Sequence, residues 1–279
     1  YHILPVTPFQ QNCSLVWCDA THEAALIDPG GELPRLLAAV RERGLTLKAI
    51  WLTHAHIDHA AALPYHASMR DLMGMNPPTY YVPHENLADL EDLFRVWRRL
   101  DRSELPCSLV GVGPGETVTL SQHRWVTAFR SPHRVPCQGY AVVSRKQKLR
   151  PEFLSLPEPE IIALRKAKAD ITETIEEVDV AFTGDSVIDV VEQQALVRTA
   201  RLLIMEVTFL DESVNPGKSR ARGHIHLDDV IARADMFQNE HLLFTHFSAR
   251  YGARDVQRIL EARLPEGLKG RVTPLLGRG

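Results

Sequence analysis

His54, His56, Asp58 and His59 place three imidazoles and a carboxylate within six residues of one another, in the stretch Leu52-Thr53-His54-Ala55-His56-Ile57-Asp58-His59. The stretch follows the apolar run Lys48-Ala49-Ile50-Trp51-Leu52, which reads as a strand running out into a loop. A lone buried histidine is usually structural. Four such groups crowded together repel one another or stay unsatisfied unless a cation lies among them. Imidazole and carboxylate in combination suit zinc, manganese or iron, so the spacing predicts a metal centre.

Six residues cannot close two coordination shells, and more ligands are expected farther along the chain. Each candidate stands just after an apolar strand: Ser131-Pro132-His133, Thr183-Gly184-Asp185-Ser186, Met205-Glu206-Val207-Thr208 and Thr245-His246-Phe247-Ser248. Strand ends in α/β proteins are where sites are assembled.

The elements that must position these residues follow from hydrophobic periodicity. Strands are expected over Cys13–Cys18, Ala24–Ile27, Ala49–Thr53, Tyr80–Val82, Trp125–Phe129, Gly139–Val143, Val178–Thr183, Leu202–Val207 and Leu242–Thr245. Helical spacing in Leu33/Leu36/Leu37/Val40, in Leu87/Leu90/Phe94/Trp97 and in Leu227/Val230/Ile231/Ala234 predicts three buried helix faces. A further helix is expected over Ala60–Leu72, and the third stripe should run on to Phe237. The alternation implies one α/β domain spanning residues 1–279, with helices on both sides of the strands. The glycines of Gly111-Val112-Gly113-Pro114-Gly115 mark a turn, since nothing helical follows them to cradle a phosphate. Residues 145–177 are densely charged and hold Pro151, Pro157 and Pro159, so they read as a solvated excursion with one helix near Glu158–Lys168.

Net charge is −3 over 279 residues, so the chain as a whole does not attract polyanions. Any nucleic-acid contact has to come from local clusters such as Lys218/Arg220/Arg222 or Arg145/Lys146/Lys148/Arg150, each of which also reads as a solvated loop. Cys13, Cys18, Cys107 and Cys137 form no CxxC pair and are expected to be free thiols of a reducing compartment. No apolar run is long enough to span a bilayer and no signal peptide is visible, so a cytoplasmic protein without membrane contact is expected. The sequence opens on Tyr1 rather than Met, as a trimmed start would.

HxHxDH, a later single histidine, the aspartate of Phe182-Thr183-Gly184-Asp185-Ser186 and a late histidine resemble the metallo-β-lactamase superfamily of dinuclear hydrolases. The phrases SPHRVPCQGYAV, FTGDS, MEVTF, GHIH and LFTHFSARY are similar to its ribonuclease Z branch from about residue 63 onward. The first sixty residues instead resemble the glyoxalase II-type thioesterases, in ILPVTPFQQNCSLVW, AALIDPGG and GLTLKAIWLTHAHIDH. The chain reads as a hybrid of the two, which leaves open whether that character is natural or engineered.

The resemblance implies a four-layer αβ/βα sandwich, two mixed sheets flanked by helices. It implies that His54, His56 and His133 hold one divalent ion, that Asp58, His59 and His246 hold a second, and that Asp185 bridges them. The ions would be zinc, with manganese or iron as alternatives, and the nucleophile a hydroxide bridging the two metals. Asp58 would double as general base, and His224, oriented by Glu206, would protonate an alkoxide leaving group. Asp28 would hydrogen-bond a ligand histidine or simply form a turn. His226 reads as a helix cap, and His2, His22, His66, His84, His123 and His241 as structural.

The function implied is a phosphodiesterase acting on RNA 3′ ends, as in tRNA processing, or on small phosphodiesters, and homodimerisation as among the relatives stays open. The runner-up is a glyoxalase II-type thioester hydrolase, although its usual phrase GHTPGS is replaced here by SPHRVPCQGY. A non-catalytic metal-binding scaffold is the third reading, opposed by the complete ligand set and the Glu206/His224 pair.

Overall fold

The computed structural model describes residues 1–7 and 11–276; Pro8, Phe9 and Gln10, part of the thioesterase-like phrase, lie outside the described residues. The first sheet is built in the order β1 (His2–Val6), β2 (Gln11–Trp17), β3 (Glu23–Ile27), β4 (Thr46–Trp51), β5 (Thr79–Pro83) and β6 (Ser108–Val112). Its first three strands are antiparallel, and β3 through β6 run parallel. The crossovers carry α1 (Leu33–Glu42), the pair α2 (Ile57–Ala60) and α3 (Ala62–Leu72), and α4 (Leu87–Asp101).

The second sheet collects β7 (Thr117–Ser121), β8 (Arg124–Arg130), β9 (Gln138–Leu149), β10 (Thr172–Phe182), β11 (Leu202–Glu206), β12 (His241–Thr245) and β13 (Val272–Pro274), which stand side by side in chain order. Strands β7 to β10 are antiparallel and β10 to β13 parallel. Helix α5 (Glu158–Lys166) lies between β9 and β10. The short α6 (Asp189–Gln193), α7 (Ala195–Thr199), α8 (Pro216–Ala221) and α9 (Leu227–Ile231) follow, with α10 (Ala253–Arg263) and α11 (Glu266–Lys269) before the last strand.

Side chains alternate across each strand, and this divides the apolar residues into three layers. Leu26 and Ile50 pack outward under α1, α3 and α4. Leu203, Leu242 and Phe244 pack outward on the other side, under the C-terminal helices. Their chain neighbours Ile27, Trp51, Ile204 and Leu243 meet between the sheets, where Trp51 stacks on Tyr81 at 4.2 Å. The result is the expected αβ/βα sandwich.

All nine expected strands are present, and four were not anticipated: β1, β6, β7 and β13. The glycine-rich run is partly strand, since Gly111 and Val112 end β6; the turn proper is closed by Gly113 N–H donating to Glu116 Oε2 at 2.7 Å. The helix expected over Ala60–Leu72 is broken at Ala61, because Pro64 has no N–H to offer the carbonyl of Ala60. The one expected over Leu227–Phe237 stops at Ile231 and resumes as a single tight turn at Ala234–Met236. Trp97 is half-exposed rather than part of a buried stripe.

The 145–177 excursion proves to be a projecting β-ladder that carries the expected helix at its tip. Strands β9 and β10 continue past the body as one antiparallel ladder, from Phe182 opposite Tyr140 out to Thr172 opposite Leu149, with α5 at the tip. The basic residues pair across it: Arg145 with Glu176 at 3.1 Å, Lys146 with Glu177 and Asp179, and Arg150 with Asp170. The charges thus serve as cross-strand partners on a solvated ladder.

Candidate metal centre

Strands β3, β4, β8, β10, β11 and β12 all end at the same edge, and each hands on a polar residue there. β3 delivers Asp28, and β4 leads through Thr53 to His54, His56, Asp58 and His59. β8 delivers His133, β10 Asp185, β11 Glu206 and β12 His246. One ring nitrogen each of His54, His56 and His133 lies within 4.8 Å of the others, and a ring nitrogen each of His59 and His246 and a carboxylate oxygen of Asp185 lie equally close together. Asp58 Oδ2 lies 3.8 Å from His59 Nε2. Every residue of the expected ligand set is therefore brought to one place.

Hydrogen bonds behind the rings decide which nitrogen faces the centre. Thr53 Oγ1 donates to Asp28 Oδ2 at 2.6 Å, so it can only accept from His54 Nδ1 at 3.0 Å. His59 Nδ1 donates to Asp28 Oδ2 at 3.1 Å, and His133 Nδ1 to the Gly223 carbonyl at 2.8 Å. Thr208 Oγ1 donates to Glu206 Oε2 at 2.5 Å and accepts from His246 Nδ1 at 2.9 Å. With each Nδ1 proton committed outward, four Nε2 lone pairs converge inward.

One fact makes this convergence costly without a cation: His133 Nε2 is buried with no partner. His54 Nε2 is met at 3.0 Å by His56 Nδ1, which can donate to it in the tautomer that carries the proton there. Burial and the neighbouring imidazoles push the His54 pKa down to about 2, and the same causes lower His56 and His133. These rings are held in the neutral form that binds metal. Burial works to raise the Asp185 carboxyl, but His246, His59, His54 and His224 outweigh it and hold it well below the usual carboxylate range. His59 differs: burial opposes its charge, but Asp28, Asp185 and Asp58 raise its pKa to about 9, so a cation there displaces a proton. The donor set fits divalent cations through three imidazoles held neutral, a carboxylate ionised at neutral pH, and a histidine that exchanges its proton for the ion.

The backbone is bent to make this approach. Asp28 and His246 both adopt left-handed conformations, with φ of 53° and 60°, which side chains other than glycine rarely tolerate. Gly30 is required beneath the histidine loop, because a Cβ there would stand 1.4 Å from the Asp58 carbonyl oxygen.

Beside the cluster, His224 stacks on His246 with centroids 5.2 Å apart and donates from Nδ1 to Glu206 Oε1 at 2.9 Å. Glu206 is buried and also accepts from Ser186 N–H and Ile225 N–H. Burial opposes the imidazolium, yet Glu206 and then Asp185 raise the His224 pKa to about 9. Asp28 and Glu206 could themselves be counted with neighbouring histidines as metal-holding groups. Their oxygens are already engaged by the hydrogen bonds just described, so both act as supports.

Other sequence expectations resolve one by one. His226 caps α9, its Nδ1 accepting from Asp228 N–H at 3.0 Å. His66 is buried against the Tyr80 hydroxyl at 2.9 Å, and all four cysteines are free. Arg220 is bound to the buried carboxylate of Asp229, so it is a fold contact and not a free cation. Arg222 lies over the Phe209 ring, 5.6 Å from its centroid. The sequence reading missed Thr53, Thr208 and Gln11. Thr53 and Thr208 stand inside the motifs LTHAHIDH and MEVTF, so adjacency was their only signal, and buried Gln11, with Nε2 3.5 Å from His59 Nδ1, had none.

Residues 6–121 match the family model of the metallo-beta-lactamase superfamily. The tRNase Z TRZ1 of Arabidopsis thaliana is 38% identical over 256 residues, 91% of each chain. The hydroxyacylglutathione hydrolase GloC of Haemophilus influenzae is 57% identical, but over only 60 residues, 22% of this chain and 28% of the relative. Among solved structures, the human short-form tRNase Z superposes with a TM-score of 0.60 at 21% identity, covering 97% of this chain and 92% of that one. The short thioesterase match fits the character of the opening segment, whereas the tRNase Z match runs through nearly the whole chain.

Proposed function

The chain belongs to the tRNase Z (ribonuclease Z) family of the metallo-β-lactamase superfamily, and from that premise we propose that it hydrolyses RNA phosphodiesters near the 3′ end of tRNA precursors. The observation that carries the reading is the Glu206–His224 pair beside the converged histidines. A phosphodiester releases an alkoxide, which needs a proton, whereas a thiolate leaves unaided. A glyoxalase II-type activity has no use for such a pair.

We assign His54, His56 and His133 to one cation, Asp58, His59 and His246 to the other, and Asp185 to both. Bound there, two divalent ions would acidify water and neutralise charge on the phosphoryl oxygens. Zinc suits neutral imidazoles with carboxylates best, ahead of manganese and iron. Asp58 is assigned as the acceptor of the water proton. His224 is assigned as the general acid: Glu206 holds its Nδ1 proton and supports the charge, which leaves Nε2–H to donate to the leaving 3′ oxygen. Four free cysteines suit a reducing compartment, the cytoplasm, and among the described residues no helix is long and apolar enough to cross a membrane.

The test is metal analysis joined to a panel of a tRNA precursor, bis-p-nitrophenyl phosphate and a glutathione thioester. Two ions per chain and turnover of both diesters are expected. Preference for the thioester would sink the assignment in favour of the thioesterase reading.

A further inference from the structure

The thioesterase-like opening segment supplies none of the assigned ligands ahead of the histidine loop, yet one of its residues reaches the centre. Gln11 opens β2, on the face where Cys13 and Leu15 are buried under the helices. It is itself only 3% exposed, and a buried amide costs free energy unless both its ends find partners. Helix α2, which carries His59, packs on β2. Gln11 Nε2 stands 3.5 Å from His59 Nδ1.

That contact satisfies neither end of the amide. His59 Nδ1 carries the proton it gives to Asp28 Oδ2, so an amide N–H beside it sets donor against donor. Gln11 Oε1 is buried with no partner among the described residues. The two ends of an amide have nearly the same shape, and the neighbours decide which way it faces. Turned over, the amide brings Oε1 to Nδ1–H. Asp28 leaves room for this second acceptor. Its Oδ2 already accepts from Thr53 Oγ1 at 2.6 Å, and it lies 3.1 Å from His59 Nδ1. That is longer than the about 2.7–2.9 Å of a strong bond to a carboxylate.

The amide nitrogen, at the other end, then needs an acceptor. Gln11 borders a cavity of about 10 Å³, shared with Asn12, Thr183, Asp185 and Thr245 and closed by Phe182 and Ile204 from between the sheets. Asp58 does not line it, so it is not the seat assigned to the second ion. A polar cavity of this size has room for one water, which takes two to four polar partners. Gln11 is one, the Asp185 carboxylate a second, and Thr245 Oγ1 a third, its bond to the Met205 carbonyl being 3.5 Å long.

We propose that Gln11 is a positioning residue for the ion assigned to Asp58, His59 and His246. Its amide oxygen shares His59 Nδ1–H with Asp28, and its amide nitrogen donates to one buried water that reaches Asp185. The first contact fixes the plane of the His59 ring and makes Nε2 a stronger donor to metal; the second steadies the carboxylate assigned to both ions. The proposal rests on the ligand assignment above and on no choice between ester substrates.

The test is release of zinc from the metal-loaded full chain to a chromophoric chelator, read as two stepwise dissociation constants. Gln11→Leu, which nearly keeps the volume and removes both polar ends, should weaken one ion by about 10–100-fold and spare the other. The His59 Nδ1–H proton resonance identifies the weakened ion, and it should shift in Gln11→Leu. Gln11→Glu keeps an acceptor toward Nδ1–H and should recover most of the affinity and the resonance position. A crystal structure of the zinc-loaded wild type should show one water between Gln11 and Asp185. Equal constants for wild type and Gln11→Leu, a Gln11→Glu no tighter than Gln11→Leu, equal loss of both ions, or no such water would each overturn the proposal. A wild type that holds fewer than two ions would sink the ligand assignment, and the proposal with it.

Discussion

A histidine protonates a leaving group only if its ring carries the proton at working pH and is aimed by something that does not move. Buried Glu206 meets both conditions for His224: it pairs with the imidazolium and is itself fixed by Ser186 N–H, Ile225 N–H and Thr208. His224→Ala should therefore slow cleavage of an alkyl phosphodiester by about 10²–10⁴-fold. A p-nitrophenyl diester, whose leaving group needs little protonation, should lose far less. Metal content should hold constant, and equal losses on both diesters would remove the acid role. Glu206→Gln should follow the same pattern more weakly. At this scale the sequence was highly informative about the rings, because HxHxDH is dense enough to have few other uses. It was silent on tautomers: Thr53 and Thr208 fix which nitrogen points inward through contacts with Asp28 and Glu206, 25 and 2 residues away, and no spacing encodes that.

At the scale of elements, strands with strong apolar runs were legible, and those deriving their order from neighbours were not. β1 interrupts its run with Pro5, β7 alternates threonine with apolar residues, and β13 is three residues long. The β9–β10 ladder was read as an excursion because its charges mask a strand; only pairing across the ladder neutralises them. Helix α3 carries a titration that can be checked. His66 Nδ1 donates to Tyr80, whose hydroxyl donates to the Leu63 carbonyl, and buried His66 Nε2 has no partner. Burial, with Arg70, lowers its pKa from 6.5 to about 4. The unfolded chain thus takes up this proton first as pH falls, so the stability is complete above pH 6.5 and is lost toward pH 4. The loss is on the order of 3 kcal/mol at 1.36 kcal/mol per pH unit. Denaturation of wild type and His66→Gln across that window should give curves that diverge on the acid side for the wild type; parallel curves would show that His66 is not the group responsible. At α8, Lys218→Ala with Arg222→Ala should flatten the salt dependence of RNA binding by about two phosphate contacts. Arg220→Ala should instead lower the melting temperature, because it strips a partner from buried Asp229. A salt slope unchanged in the double variant would show that this loop does not meet the backbone.

At the scale of the whole molecule, the centre draws on both halves of the sandwich. His54, His56, Asp58 and His59 come from the first sheet, and His133, Asp185 and His246 from the second. Each assigned cation therefore takes ligands from both sheets and ties them at one edge, where His133 Nε2 is otherwise buried without a partner. An ion that binds only the folded state adds RT ln(1 + [L]/Kd), about 4 kcal/mol at a thousandfold excess over Kd. Each kcal/mol is worth roughly 2–4 °C of melting temperature in a chain approaching this size. Two ions at that excess should raise the melting temperature by about 15–30 °C, and chelation followed by dialysis should remove that gain. Returning zinc should restore it with a midpoint that follows free metal concentration. Asp185→Ala, lacking the carboxylate assigned to both ions, should melt near the metal-free wild type and respond weakly to added zinc. If chelated and metal-loaded protein melt together, or if Asp185→Ala keeps full metal content and the full metal-dependent shift, then Asp185 does not join two cations and the assignment of ligands across the two sheets fails.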